Sequence, residues 1–378
     1  MPGHFDRRSL YEEFAELVSI DSPSFGERAL ADRLKQKLTA LGFEVTEDRA
    51  GETIGGTAGN IYAFLKGTDS SRPAVLFSSH LDTVAPALGK RAVLHQSGRI
   101  TSAGDTVLGA DDAAGLVEIL SGIRAAVASG EPRGDIELLI PAAEEVYTRG
   151  SRHFDFSRIK STTAYVLDMS GEVGSAALQA PSLISFSAEV TGRAAHSGFA
   201  PEKGINALAA AAAAIAETPQ GRLDESTTFN IGTLNGGEAS NIVPERCSLT
   251  GEARGFDHAA AVRAVEEFES RLRDKASAAG AAVEFSSAVE LKAYRISEAD
   301  GTVIRFQKAA GRIGIDPRLV STHGGSDNHN IVLHGISGIV LSCGMFSVHS
   351  VEEYTTLEEL ARGAALVREL ILDREAEK

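Results

Sequence analysis

The chain has 378 residues, 43% of them hydrophobic, and a formal charge of −15. That length exceeds one comfortable core, so two domains are expected. The acidic balance argues against nucleic acid or an anionic membrane surface as partner, and no apolar run approaches the roughly 18 residues of a membrane span.

The first residues carry no apolar stretch of the kind that directs secretion. Apolar positions at helical spacing then predict helices over Arg8–Ile20 and Glu27–Leu41, broken between them by Asp21-Ser22-Pro23-Ser24. Ile61–Lys66 and Ala74–Ser79 read as strands, the second nearly continuous in apolar character, as in a strand buried on both faces. Ala113–Ala128 reads as a helix, with Asp111 or Asp112 where an N-cap belongs. Ile136–Ile140, Ala164–Leu167 and, much later, Gly338–Gly344 are further buried strands. Strands alternating with helices predict an α/β fold with a mostly parallel sheet flanked by helices. In such sheets ligands gather beyond the carboxyl ends of the strands, where His80, Glu144, Glu145 and Asp168 fall; His349 follows the last strand within a few residues.

Between about Pro181 and Ala293 the pattern changes to alternation, in Ile184–Thr191, Thr228–Leu234 and Ile242–Ala253, with helices near Gly204–Glu217 and Asp257–Ala279. An α+β lid over 181–293 is therefore expected as an insertion in a catalytic domain made of 1–180 and 294–378, which ends in a helix from Leu357. The only cysteines, Cys247 and Cys343, lie in apolar strand-like contexts, so a reduced, cytoplasmic protein without a disulfide framework is expected.

Two histidines and at least three carboxylates in matched strand-end settings form the hard-to-borderline ligand set that suits a pair of zinc-like ions. His80 and Asp82 point to the same side of an extended chain, so the ring can bind a metal while Asp82 holds its other nitrogen. Of Asp111-Asp112, one suits helix capping and Asp111 suits a bridge between two ions. Glu144 and Glu145 would crowd a cleft at high cost unless a cation neutralises one; one can ligate while its neighbour takes a proton from water. In the insertion, His196, Asn241 and Arg254 read either as a loop histidine, a turn asparagine and a solvated arginine, or as groups that grip a substrate, the guanidinium matching a carboxylate. Spacing does not choose between these.

The segments Ser79-His80-Leu81-Asp82-Thr83-Val84, Gly109-Ala110-Asp111-Asp112, Ala143-Glu144-Glu145-Val146, Ala195-His196-Ser197-Gly198 and Gly324-Gly325-Ser326-Asp327 resemble, in that order, the dinuclear zinc peptidases. That family includes peptidase T, glutamate carboxypeptidase and aminoacylase. The ending Val348-His349-Ser350-Val351-Glu352-Glu353-Tyr354 is similar to its peptidase T-like branch of tripeptide aminopeptidases. The resemblance implies two Zn2+ per subunit, with Co2+ or Mn2+ able to substitute. His80 and Asp168 would hold one ion, Glu145 and His349 the other, and Asp111 both. Asp82 would orient His80, and Glu144 would be the general base and then the acid.

The resemblance also implies a cis peptide between Asp111 and Asp112, short peptide substrates that lose their N-terminal residue, and a homodimer formed through the insertion. His196 would reach the active site of the partner subunit and help bind the oxyanion. Asn241, Arg254 and the Gly324–Asp327 turn, with Gly325 and Ser326, would contact substrate. His323 stands where peptidase T proper has arginine, which leaves the peptide preference open. The same metal site would serve a deacylase of N-acyl amino acids or a carboxypeptidase. A non-catalytic binding protein on this fold would have no need of Glu144.

Overall fold

The computed structural model describes residues 5–373, so part of the stretch on which the absence of a leader is expected lies outside them. The chain divides into two compact units, Met1–Gln179 with Arg295–Lys378, and Ala180–Tyr294. Among the described residues no helix is long and apolar enough to cross a membrane.

The first unit is built on a mixed sheet. At its centre lie four parallel strands, in the spatial order Ile136–Ile140, Val75–Ser78, Thr163–Met169 and Ser337–Ser342. Ile61–Leu65 and Glu44–Glu47 extend one side antiparallel; Ser175–Ala180 runs antiparallel on the other and carries Arg318–Ser321 in parallel. Phe77, Leu138, Tyr165 and Ile339 enter the core on one face, while Leu76, Leu139, Val166 and Val340 enter the core on the other. Burial on both faces is why these strands read as unbroken apolar runs. The mostly parallel, helix-flanked sheet expected from the sequence is thus present.

Helices Ala110–Ser129 and Leu357–Leu372 pack closely where each carries a glycine. A Cβ on Gly122 would lie 2.6 Å from Val367 Cβ, and one on Gly363 would lie 1.9 Å from Glu118 Cδ. The Glu118 carboxyl therefore lies flat against the facing helix, fully buried, with neither oxygen hydrogen-bonded. Burial, then the charges of Asp112 and Glu359, holds its pKa well above the ordinary 4.5. An acid kept neutral by the fold but free to ionise in the unfolded chain supports stability most below its unfolded pKa, and this support is lost as pH rises toward the folded value. Glu118→Gln is accordingly expected to raise the melting temperature at pH 8 by about 2–4 °C and to flatten its pH dependence above about pH 5. Thermal melts across that range check it, and an unchanged profile would show that Glu118 does not titrate with folding.

The second unit is a five-stranded antiparallel sheet in the order Gly221–Arg222, Thr227–Gly236, Arg246–Gly255, Ser182–Thr191, Ala282–Leu291. Ile184, Phe186, Ala188 and Val190 face a core shared with helices Ala207–Ala216 and His258–Ala279. Phe186 stacks between Phe229 and Phe285 at 5.3 and 5.8 Å. The strand expected from Ile242 begins only at Arg246, because Pro244 lacks the amide a ladder requires.

Candidate metal centre

Four site segments leave the carboxyl ends of the four parallel strands. His80 follows Val75–Ser78, Glu144 and Glu145 follow Ile136–Ile140, Asp168 closes Thr163–Met169, and His349 lies on the loop after Ser337–Ser342. Asp111 comes from the entry into Ala110–Ser129, a helix with non-helical dihedrals at Asp111 (φ −83°, ψ 98°) and Asp112 (φ −123°, ψ 33°). The peptide between these two is cis, as the resemblance implies. Asp112 Oδ1 accepts from the Gly115 amide at 3.3 Å, which is the cap expected of one member of the pair, and Oδ2 accepts from the His80 amide at 3.3 Å. Asp111 is left for the site.

His80 Nε2 lies 3.0 Å from Asp111 Oδ1 and 3.8 Å from Asp168 Oδ1. His349 Nε2 lies 3.2 Å from Asp111 Oδ2 and 3.1 Å from Glu145. Asp111 therefore turns one oxygen to each histidine. In the trios His80–Asp111–Asp168 and Asp111–Glu145–His349, one atom of each residue lies within 4.8 Å of the others. Ligands of a four-coordinate zinc, each bonded at about 2.0–2.2 Å, stand about 3.3–3.6 Å apart, so both trios fit an ion with little movement. The charges fit as well. The Asp111, Asp168 and Glu145 side chains are no more than 10% exposed, and with Glu144 they outnumber the two imidazoles, an excess that a buried site tolerates beside cations.

Burial pushes Asp111 up, but His349 and His80 outweigh it and hold the carboxyl below the usual range. Burial pushes Glu145 up and Glu144 and Asp168 well up, the charge of Asp168 adding to the effect on Glu144. Asp111 and Glu145 push His349 up to about 10. Burial pulls His80 down, yet Asp111 and Asp82 outweigh it and hold the ring well above its ordinary value. Protons and a divalent ion would compete for the same lone pairs on these rings, so metal uptake weakens as pH falls.

Glu144 is buried and belongs to neither trio. Asp82 lies beside the His80 ring and also holds the neighbouring loop. Its Oδ1 stands 3.6 Å from His80 Nδ1, beyond hydrogen-bond reach, and that nitrogen has no hydrogen-bond partner. The Asp82 oxygens accept from the amides of Glu144 at 2.8 Å and Glu145 at 3.2 Å, and from Ser24 Oγ at 2.7 Å. Backbone amides of the neighbouring loop occupy the carboxylate, so Asp82 positions the two glutamates.

Ser326 is buried and Gly325 exposed; Asp327 beside them accepts from Ser151 Oγ at 2.5 Å, and its charge pushes Glu144 further up. His196, Asn241 and Arg254 belong to the second unit. His196 and Asn241 are neighbours there, since the Ser197 amide donates to Asn241 O at 3.0 Å. His196 Nδ1 accepts from the amides of Gly198 and Phe199, both at 3.1 Å, which leaves Nε2 as the protonated nitrogen of an exposed ring. Glu252 engages the Arg254 fork at 2.7 and 3.3 Å on the same strand, so a substrate carboxylate would have to displace it. Sequence reasoning assigned no role to Glu27, which accepts from the Ala143 amide at 3.2 Å, or to Glu353. For Glu353 a signal exists: Glu352-Glu353, just past His349, repeats the doubled acid of Glu144-Glu145.

Comparison with known proteins adds the following. The M20 peptidase dimerisation domain profile matches residues 180–280, and that of peptidase family M28 matches residues 60–221. The YqjE protein of Bacillus subtilis strain 168 is 35% identical over 366 residues, 97% of this chain and 98% of that protein. The crystal structure of aminopeptidase PepT from Bacillus cereus aligns with a TM-score of 0.90 at 36% identity, over 98% of this chain and 99% of its own. A tripeptidase from Staphylococcus aureus aligns with a TM-score of 0.94 at 31% identity, over 99% of this chain and 100% of its own.

Proposed function

Because the chain belongs to the peptidase T-like branch of the M20 peptidase family, we propose that it is a dinuclear zinc aminopeptidase that releases the N-terminal residue of short peptides. The observation that carries this reading is the Asp111 carboxylate, which faces His80 with one oxygen and His349 with the other and so joins two ligand trios. The names of the two similar structures, an aminopeptidase and a tripeptidase, support the substrate class.

In this reading His80 and Asp168 would hold one ion, Glu145 and His349 would hold the other, and Asp111 would serve both, with Co2+ or Mn2+ able to replace Zn2+. When bound, the ions supply Lewis acidity to the scissile carbonyl and acidify water. Glu144 takes the proton of the attacking water on its carboxylate and passes it to the leaving amine nitrogen as the carbon–nitrogen bond breaks. Asp82, through the two amides it accepts, keeps that base beside the ligand Glu145.

The inserted 181–293 domain serves as lid and dimer interface of a homodimer, a role supported by the dimerisation-domain match. The exposed Nε2–H of His196 donates to the oxyanion in the partner subunit's site. Asn241, Arg254, Gly325 and Ser326 contact the peptide, Arg254 after parting from Glu252. Cytoplasmic residence is supported by the free, buried thiols of Cys247 and Cys343. His196→Ala is expected to leave fold, dimer and metal content intact and to lower kcat by about 10²–10³, the usual loss for one oxyanion donor. Size-exclusion chromatography with steady-state kinetics checks it, and parent-like kinetics would make His196 an ordinary loop residue.

The same metal site would suit a deacylase or a carboxypeptidase, and a free amine requirement separates them. Tri-alanine and its N-acetyl form, incubated with zinc- or cobalt-loaded protein and a chelated control, provide the test. Metal-dependent release of the N-terminal residue from the free peptide alone is the expected result. Cleavage of the acetylated form alone would move the assignment to a deacylase or carboxypeptidase.

A further inference from the structure

His349 sits on a loop closed at its neck. Phe346 and Tyr354 exchange backbone hydrogen bonds at 2.9 and 3.0 Å, their rings stack at 4.8 Å, and the Arg99 guanidinium lies 3.6 Å over the Tyr354 ring. Within the loop Ser350 Oγ donates to Ser347 O at 2.7 Å and the Glu353 amide donates to Ser350 O at 3.1 Å. Ser347 and His349 take left-handed φ values of 51° and 61°. This winding leaves the His349 side chain 51% exposed and turns Glu353 inward, to 1% exposure.

The Glu353 carboxylate there meets the turn that delivers Asp111. Oε2 accepts from the Gly109 amide at 2.7 Å and Oε1 from the Asp111 amide at 2.9 Å, across 242 residues of sequence between the last pair. Gly109 has φ 77°, and its left-handed turn lets the two amides flanking Ala110 converge on one carboxylate. Lys90, only 2% exposed, packs its side chain against Gly109 and places a positive charge near the buried acid.

We propose that Glu353 is a positioning residue that ties the His349 loop to the Asp111 backbone, so that Asp111 and His349 stand in register before metal arrives. This rests on the metal-centre reading given above. Asp111 contributes to both trios, so any drift of its backbone opens both at once. Holding it against the loop that carries its partner His349 removes ordering that metal binding would otherwise have to supply. Groups behind metal ligands commonly change affinity by about 10–100-fold when lost.

The test compares metal-free and Co2+-titrated protein. Glu353→Gln keeps the side-chain volume but turns one acceptor into an NH2 that meets an amide donor. The metal-free variant is expected to stay folded, with a melting temperature lower by about 2–4 °C for the lost buried hydrogen bond, while Co2+ affinity, followed by visible absorption, falls about 10–100-fold and the bound-Co2+ spectrum changes. Glu353→Asp, one methylene short, reaches one amide at a time and is expected to fall between. Parent-like Co2+ affinity and spectrum in either folded variant would overturn the inference. So would equal losses of metal-free stability and affinity in both variants, the pattern of a carboxylate that only holds the fold. A parent protein that takes up no Co2+ would sink the metal-centre reading first and this inference with it.

Discussion

Replacing Glu144 with glutamine is expected to lower kcat by a factor of about 10²–10⁴, about 2.7–5.5 kcal/mol of barrier, with metal content at the parent value. The separation of the two effects follows from the geometry. Glu144 is in neither ligand trio, and its backbone is held from outside the side chain by the 2.8 Å bond of its own amide to Asp82. Glutamine keeps the size and one acceptor oxygen but cannot take and return a proton. Metal analysis of the purified variant and steady-state kinetics read the two properties independently. Loss of metal from the variant would make Glu144 a ligand. Full metal with parent-like turnover would move the base elsewhere, and Asp327, pushed up to about 7 by burial, would be the next candidate.

Asp111→Ala is expected to be the more complete loss, weakening both ions by more than about 100-fold each and abolishing turnover at ordinary metal concentrations. The reason is that its two oxygens serve different histidines, at 3.0 and 3.2 Å. Removing the carboxylate also leaves two imidazoles and three remaining acids without the group around which both trios are arranged. His349→Ala provides the contrast, since it touches the trio with Glu145 and spares His80, Asp111 and Asp168. A two-site metal titration distinguishes them: one ion weakened in His349→Ala, both in Asp111→Ala. An Asp111→Ala protein that still bound one ion as tightly as the parent would show that the carboxylate is not shared.

The central strands were legible because adjacent residues such as Leu76 and Phe77 enter opposite cores, so the apolar run is unbroken and its end is sharp. An acid or imidazole placed just past that end stands out. Edge elements do not. Glu44–Glu47 and Ala92–Leu94 are short and partly exposed, and Ala282–Leu291 is mostly exposed along an edge where Ser182–Thr191 supplies its hydrogen bonds. Helix Gly301–Arg312 was missed although Asp300 caps it by accepting from the Thr302 amide, because Gly301 and Gly311 dilute its helical signal.

Sequence alone determined the candidate ligand types, their order and their positions at strand ends, because a charged or imidazole group beside a fully buried strand is a local chemical anomaly visible at one point of the chain. Only the tertiary structure decided that Asp111 divides its oxygens between His80 and His349, that Asp82 serves the amides of Glu144 and Glu145 while standing 3.6 Å from the His80 ring, and that Glu353 reaches the Asp111 turn. Those assignments depend on differences of a few tenths of an ångström between segments as far as 242 residues apart. Such distances are set by how the cores pack on the two faces of the sheet, which no local pattern encodes.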